Sequence, residues 1–284
     1  MPSSDVLIIG SGISGLSTAI KLAKNRPNLQ IAVLAQIDIK ETNAFYGQDG
    51  VATVWDYSRD SYDKHIADTL AAGDGLCDEE VVSMVVREGP QRVKELMDWG
   101  ARFEEDQNRR YKLKQAEEHS ENRILYYRNR TVEEIQRALV EKAASCGNIL
   151  VIDDWFAVDL LTTHQQRETT VGYRPKCFGA NVIYQKDEQF VAFHARVTIM
   201  ASGHIGQVYR SIPNLKITSE DSIEVNLNGY SSIDQLYACG QCAYTGFHGA
   251  KPLASNNLLE VLVFAHRIAR SIVEGIDDIY LHKG

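Results

Sequence analysis

Apolar residues run unbroken through Val6-Leu-Ile-Ile9 behind Asp5, as a strand buried on both faces of a parallel sheet does. Past the turn that follows, Leu16, Ala19, Ile20, Leu22 and Ala23 fall at helical spacing, and Gln30–Ala35 reads as the next strand of a βαβ unit. After a polar, glycine-containing loop from Glu41 to Gly50, helices are predicted over Ser61–Ala72 and Asp78–Trp99. The second places Val81, Val82, Met84, Val85, Val93, Leu96 and Met97 on helical periods. The charged stretch Glu104–Glu118 reads as an exposed excursion, and Thr131-Val-Glu-Glu134 as a capping box opening a helix through Ala144. Four short runs follow, at Ile149–Ile152, Ala157–Leu161, Gly179–Tyr184 and Phe190–His194. Their alternation and polar turns predict an antiparallel meander inserted in an α/β core. Val197–Ala201 returns as a buried strand ending at Ser202-Gly203, Gln235–Gly240 is another strand running into glycine, and a last helix covers about Asn257–Glu274. The fold class is therefore α/β, Rossmann-like, with a central parallel sheet plus an inserted antiparallel β-meander. No repeat, low-complexity segment or linker interrupts it.

Composition narrows the partners. At 284 residues the chain can bury a full core, and 44% hydrophobic with 24% charged residues is the balance of a globular protein. The net charge of −8 comes with no basic tail or stripe, which argues against nucleic acid and anionic membrane. No apolar run is long enough for a bilayer and no signal peptide pattern opens the chain. Five scattered cysteines, an odd number, point to a reduced, cytoplasmic protein. Cys239-Gly-Gln-Cys242 has redox spacing, but packing beside a ligand is the favoured reading; no second pair completes a zinc site, and no metal site is expected.

The chemistry begins at Gly10-Ser11-Gly12-Ile13-Ser14-Gly15, a Gly-x-Gly-x-x-Gly turn standing between strand and helix. Gly10 permits the tight turn, Gly12 lets backbone approach a pyrophosphate, and Gly15 lets helix pack close to strand. The phosphates then rest on amides at the positive end of the helix. A glycine turn without a ligand is the bland alternative. An acid normally ends the second strand and holds a ribose, but here the residues are Ala35 and Gln36, so the Gln36 amide or backbone must serve, which weakens the case for NAD.

Further motifs follow in order. They are Glu41-Thr-Asn-Ala-Phe-Tyr-Gly-Gln-Asp-Gly50, Asp68-Thr-Leu-Ala-Ala-Gly-Asp-Gly-Leu-Cys77, His119-Ser-Glu-Asn-Arg-Ile-Leu125, Ile135-Gln-Arg-Ala-Leu139, Ala201-Ser-Gly203 and Gly206-Gln-Val-Tyr209. Leu236-Tyr-Ala-Cys-Gly-Gln-Cys-Ala243, Thr245-Gly-Phe-His-Gly-Ala250 and Leu253-Ala-Ser-Asn-Asn-Leu-Leu-Glu260 complete the series. Together, along almost the whole chain, they resemble the succinate dehydrogenase/fumarate reductase flavoprotein family, most closely its L-aspartate oxidase branch. The resemblance implies FAD, with its pyrophosphate on Gly10–Gly15 and its adenosine ribose near Gln36. It implies Thr42, Asn43, Ala44, Tyr46, Gly47, Gln48, Asp49 and Gly50 beside the flavin ring, and the backbone of Phe156, Ala157 and Val158 at the adenine. Ala201, Ser202 and Gly203 would also line the cofactor, Gly240 and Gln241 reach the ribityl chain, and Ser255, Asn257 and Leu258 stand at the flavin pyrimidine. Asn257 as a plain N-cap and Tyr46 as plain core are the alternatives for those residues.

The departures from the family are equally informative. A short connection, Arg210–Glu220, stands where the family inserts a capping domain that closes over substrate and supplies a histidine and an arginine; the family's C-terminal helical domain also lacks a counterpart before Gly284. The expected organisation is one FAD-binding domain over 1–284, its two parts joined at 210–220. The family's Arg-Glu-Gly-Gly-His-Ser appears as Gln115-Ala-Glu-Glu-His-Ser120, so a carboxylate is missing at Ala116. Its His-Gly-Ala-Asn-Arg appears as His248-Gly-Ala-Lys-Pro252, so the arginine that clamps a substrate carboxylate is proline. A glycine pair has become Asp49-Gly50, a hydroxyl residue Ala44, and a second glycine after Ala201 has become His204.

His119, His248 and Lys251 remain as candidate catalytic groups, with a structural role for His248 equally weighted. The leading expectation is an FAD-binding flavoprotein whose ancestral oxidation of L-aspartate to iminoaspartate, on the way to NAD, is weak or lost. The alternatives are an FAD-dependent oxidoreductase on another small substrate, a dicarboxylate or amino acid, and a non-catalytic scaffold that no longer binds flavin. A natural decayed paralogue and an engineered minimal domain would carry the same pattern.

Overall fold

The N-terminal apolar run becomes β1 (Ser3–Ile9), α1 (Ile13–Asn25) follows the glycine turn, and β2 (Ile31–Ala35) completes the βαβ unit. Then come β3 (Val51–Ala52), α2 (Tyr62–Ala72), α3 (Glu79–Asp98), β4 (Leu113–Lys114), β5 (Ile124–Leu125) and α4 (Thr131–Ala144). The strands β6 (Ile149–Asp153), β7 (Trp155–Thr162), β8 (Cys177–Tyr184), β9 (Gln189–Met200), β10 (Ile223–Glu224), β11 (Leu236–Ala238) and β12 (Ala243–Tyr244) precede α5 (Asn256–Gly275). The computed structural model describes residues 2–35, 50–163, 174–184, 189–203, 215–218 and 221–281. The chain divides into two units, the first made of Met1–Thr42, Ala143–Tyr244 and Phe264–Gly284, the second of Asn43–Lys142 and Thr245–Val263.

The first unit is built on one sheet of order β6-β2-β1-β9-β8-β7, with β11 also paired to β9. β6, β2, β1, β9 and β11 are mutually parallel, and β7-β8-β9 form the antiparallel meander. Leu7, Ile9, Leu34, Ala157, Leu160, Val182, Phe193 and Leu236 share one buried cluster, so both parts of the sheet rest on the same core. Two expectations are corrected here. Ile149–Ile152 is not part of the meander but the parallel edge strand beside β2. Phe190–His194 and Val197–Ala201 are not separate: β9 runs through both, pairing its first half with β8 and its second with β1 and β11. The charge between them, Arg196, is satisfied by Asp5 and by the carbonyls of Ile276 and Ile279, so it does not break the strand.

In the second unit, helix starts follow their caps. Ser61 Oγ accepts from the Lys64 amide at 3.2 Å, and Asp78 Oδ1 accepts from the amides of Glu80 and Val81 at 2.9 and 3.2 Å. α4 begins at Thr131 as expected, but not through the return arm of a capping box. The Glu134 carboxylate is taken by Arg102 and Arg137 instead. The charged excursion 104–118 is largely exposed, yet it contributes β4 to a three-stranded antiparallel sheet of order β3-β5-β4. Among the described residues no helix is long and apolar enough to cross a membrane.

Candidate functional site

The central parallel strands of the first unit end level with one another, since Ile9 pairs with Met200 and Met200 with Ala238. One more rung continues the ladder: Gly10 N–H donates to Leu34 O at 3.0 Å, Ala201 N–H to Ile9 O at 2.9 Å, and Cys239 N–H to Met200 O at 2.9 Å. Beyond that line each strand opens into a turn of small residues, Gly10-Ser11-Gly12, Ala201-Ser202-Gly203 and Gly240-Gln241. The carboxyl ends of parallel strands are where sheets of this kind bind their ligands.

The glycines of the first turn meet different surroundings. Gly10 has φ +121°, and a Cβ there would strike the Ala201 carbonyl. A Cβ on Gly15 would strike the Gly10 carbonyl and come within 3.2 Å of Ile8 Cγ2, so α1 sits on β1 at a distance only glycine allows. Gly12 is the contrast: a Cβ there would meet nothing within 4 Å. Backbone is laid bare beside open space at the glycine where the sequence pattern leads one to expect a pyrophosphate. Gly12 is also the N-cap of α1 and offers no side chain to its amides; the helical ladder starts with Leu16 N–H to Gly12 O at 3.0 Å. The amides of Ile13, Ser14 and Gly15 precede that bond, at the positive end of the helix.

The other turns close around this one. A Cβ on Gly240 would lie 2.9 Å from Ser14 Oγ, and one on Gly203 would lie 3.6 Å from Gln241 Oε1. On β7, the pairing passes from Ala157↔Val182 to Asp159↔Asn181, a bulge that leaves Val158 out of register. The cysteines of Cys239-Gly-Gln-Cys242 are buried and not joined in a disulfide, with the Cys242 thiol donating to Met200 O and Cys239 O at 3.3 Å each. Burial pushes that thiol up to about 12, which suits packing and not redox exchange.

In the second unit, Gly50 is buried on β5, where a Cβ would meet the Ile124 side chain and, at 2.6 Å, the Leu125 carbonyl. Ser255 is buried with φ +63°, and its carbonyl accepts the Ala52 amide at 2.9 Å. Asn257 is half-buried in the first turn of α5, and its Oδ1 is buried with no hydrogen-bond partner among the described residues; Leu258 is fully buried. Gln36, Thr42, Asn43, Ala44, Tyr46, Gly47, Gln48 and Asp49 lie outside the described residues.

The three catalytic candidates are each engaged. His119 Nε2 lies 2.8 Å from Ala254 O, and its Nδ1 lies 3.1 Å from Arg123 Nη1. A guanidinium only donates, so Nδ1 accepts and the ring is neutral with its proton on Nε2. Burial holds its pKa below the usual range, with the Arg123 charge acting in the same direction. His248 Nε2 is 3.0 Å from Glu260 Oε2, Thr245 donates to the other Glu260 oxygen, and His248 Nδ1 is buried without a partner among the described residues. Lys251 is exposed and paired with Glu118.

Sequence reasoning missed the buried polar network around His119. Arg123 is fully buried, with Nε and Nη2 on the two oxygens of Asp60 at 2.9 Å each and Nη1 on Asp68. Nearby, Thr69 Oγ1 donates to His65 O at 2.8 Å and accepts from Asn256 Nδ2 at 3.0 Å, which turns Asn256 Oδ1 toward His65 Nε2 at 2.8 Å. The signal was available in the motifs Asp68-Thr69 and His119-Ser-Glu-Asn-Arg123, where a histidine and an arginine stand four apart.

Comparison with known proteins agrees with the geometry. The FAD binding domain family matches residues 5–224 and 217–258. The chain is 34% identical to the chloroplastic L-aspartate oxidase of Oryza sativa subsp. japonica over 82% of its length and 34% of that protein. It is 37% identical to the L-aspartate oxidase of Yersinia pestis over 78% of its length and 41% of that protein, so it spans well under half of these relatives. The quinol fumarate reductase chain of E. coli superposes with a TM-score of 0.83 at 17% identity, over 98% of this chain and 71% of that one, a likeness of fold. The glycine turn is shaped for a dinucleotide, and the family names which: this chain belongs to the FAD-binding domain family of flavoproteins, related to L-aspartate oxidase, and its cofactor is FAD.

Proposed function

We propose that this chain is the FAD-binding core of a flavoprotein of L-aspartate oxidase type in which oxidation of L-aspartate to iminoaspartate is weak or lost. Bound FAD supplies a hydride acceptor. The family resemblance assigns the pyrophosphate to Gly10–Gly15, the adenine to the backbone at Ala157 and Val158, the ribityl chain to Gly240 and Gln241, and the flavin end to Gly50, Ser255, Asn257 and Leu258. The open space at Gly12, the bulge at Val158 and an Asn257 Oδ1 that is buried with no partner among the described residues support that assignment. A single family domain whose parts join at 210–220, without the capping domain, is supported by a family match made in two stretches that overlap at 217–224.

The observation that carries the loss of activity is what became of the polar candidates. Amino-acid oxidation needs the substrate carboxylates clamped so that the α-hydrogen faces the flavin, and a base to manage the amine. Pro252 has no charge to offer, its neighbour Lys251 is held by Glu118, and both nitrogens of His119 are spent on Ala254 and Arg123. One such contact is worth about 3–4 kcal/mol in a transition state, so losing several removes orders of magnitude in rate.

Absorption of the purified chain tests the cofactor, and an iminoaspartate assay tests the activity. Near-stoichiometric flavin with negligible iminoaspartate is expected. Turnover at the rate of the full-length relatives would overturn the loss of activity, and a colourless protein that FAD cannot reconstitute would overturn the cofactor assignment. A second reading rests on His248, whose buried Nδ1 could meet a small dicarboxylate or amino acid. Rapid anaerobic bleaching of the flavin by one such compound would favour it.

A further inference from the structure

The turn that leads into α5 holds a backbone conformation its sequence does not favour. Ser255 has φ +63°, a left-handed value that a non-glycine residue keeps only where its surroundings over-determine it. Three separate segments of the second unit supply that constraint. The Ala52 amide of β3 donates to Ser255 O at 2.9 Å. His119 reaches the residue before, Ala254 O, at 2.8 Å, and His65 of α2 reaches the residue after, through Asn256 Oδ1, at 2.8 Å.

The proton positions follow from the partners. Thr69 Oγ1–H is committed to His65 O, so it can only accept from Asn256 Nδ2, and Asn256 Oδ1 must face His65. His65 therefore donates from Nε2, as His119 does, and burial keeps the His65 ring neutral with its proton aimed at this turn. His65 is fully buried and its Nδ1 has no hydrogen-bond partner among the described residues, so the ring cannot exchange protons with solvent through that atom.

We infer that His65 and His119 are positioning residues: their two Nε2–H donors, with Ala52, fix the Ala254–Asn256 turn and so aim the first turn of α5, with Asn257 and Leu258, at the flavin. The inference rests on the FAD placement proposed above and gives His119 a different role from proton transfer. It separates substitutions by what they keep. Glutamine can present an N–H in place of Nε2, whereas leucine fills the volume and donates nothing. Thr69→Val, nearly isosteric, leaves Asn256 Nδ2 without its acceptor.

The test measures FAD affinity by flavin fluorescence and amide hydrogen exchange at Asn257 and Leu258 in the cofactor-free chain. It compares wild type with His65→Leu, His65→Gln, His119→Leu, His119→Gln and Thr69→Val, each first shown to be folded by circular dichroism. The leucine variants should weaken FAD binding about tenfold or more and speed exchange at those two amides, with Thr69→Val a few-fold affected, since each loses a buried donor or acceptor. The glutamine variants should recover most of both. Wild-type FAD affinity and unchanged exchange in folded leucine variants, or in folded Thr69→Val if leucine is not tolerated, would overturn the positioning role while leaving FAD binding intact. Failure of wild type itself to bind FAD would overturn the cofactor placement on which it rests.

Discussion

Gly12 and Gly15 stand three positions apart in one motif, and the structure gives them opposite reasons to be glycine. At Gly15 the missing side chain serves the protein, because a Cβ would collide with Gly10 and Ile8. At Gly12 a Cβ would touch nothing among the described residues, and the placement proposed above gives that space to the ligand. Gly12→Ala should therefore lower the stability of the cofactor-free chain by no more than about 1 kcal/mol, the scale of a weakened N-cap. It should weaken FAD binding by about tenfold or more, since a methyl group then occupies the pyrophosphate's approach. Gly15→Ala should cost about 1–3 kcal/mol before any ligand is added, as overpacking does. Chemical denaturation without FAD and fluorescence titration with it separate the two. Equal affinity for FAD in Gly12→Ala and wild type would show that this backbone is not the contact surface.

Among the elements, those marked by a local signal were legible in the sequence. The strand, glycine turn and helix at the N-terminus, and the helices capped by Ser61 and Asp78, carry their determinants within a few residues. What escaped depends on partners distant in the chain. β6 mixes half-buried and exposed positions rather than being buried throughout, and only its pairing with β2 makes it a parallel edge. β9 was divided at Arg196 because nothing nearby announces that Asp5 and the end of the chain satisfy that charge. The network under His119 was hidden for the same reason. Arg123 stands just before β5 and joins it to α2, taking Asp60 ahead of the helix and Asp68 within it. Arg123→Leu strands the buried Asp60 carboxylate, while half-buried Asp68 keeps its Ser120 donors, and should cost about 3–5 kcal/mol. The midpoint of urea unfolding measures it, and a loss near that of an ordinary surface substitution, about 0.5 kcal/mol, would show that water reaches Asp60.

At the scale of the whole molecule, the acid-range shifts among the described residues fall in the second unit. In the second unit, His65 is driven down to about 4 from an ordinary 6.5, by burial first and then by the charge of Arg123; His119 adds to the effect, and Asp60 and the bond to Asn256 oppose it. A neutral ring of this kind contributes stability that is fully present above pH 6.5 and is lost as pH falls from 6.5 toward 4, about 1.4 kcal/mol for each pH unit in which only the unfolded chain binds the proton. Glu134, half-wrapped by Arg102 and Arg137, is held at about 2 against an ordinary 4.5, so its contribution persists below the histidine range and disappears between pH 4.5 and 2. Among the described residues of the first unit the clear shifts lie at the other end. Burial raises Cys177 to about 11, Cys242 to about 12 and Tyr230 to about 12, and those contributions are complete below pH 9 and fail only in alkali. Acid should therefore open the second unit before the first. Limited proteolysis read by mass spectrometry at pH 7 and pH 5 should show new cuts within 50–142 and 245–263 while 174–184 and 189–203 stay protected. His65→Gln, which keeps the donor and removes the titration, should flatten the fall in stability between those two pH values. Earlier cleavage in the first unit, or the same pH slope in His65→Gln, would place the acid-sensitive group elsewhere.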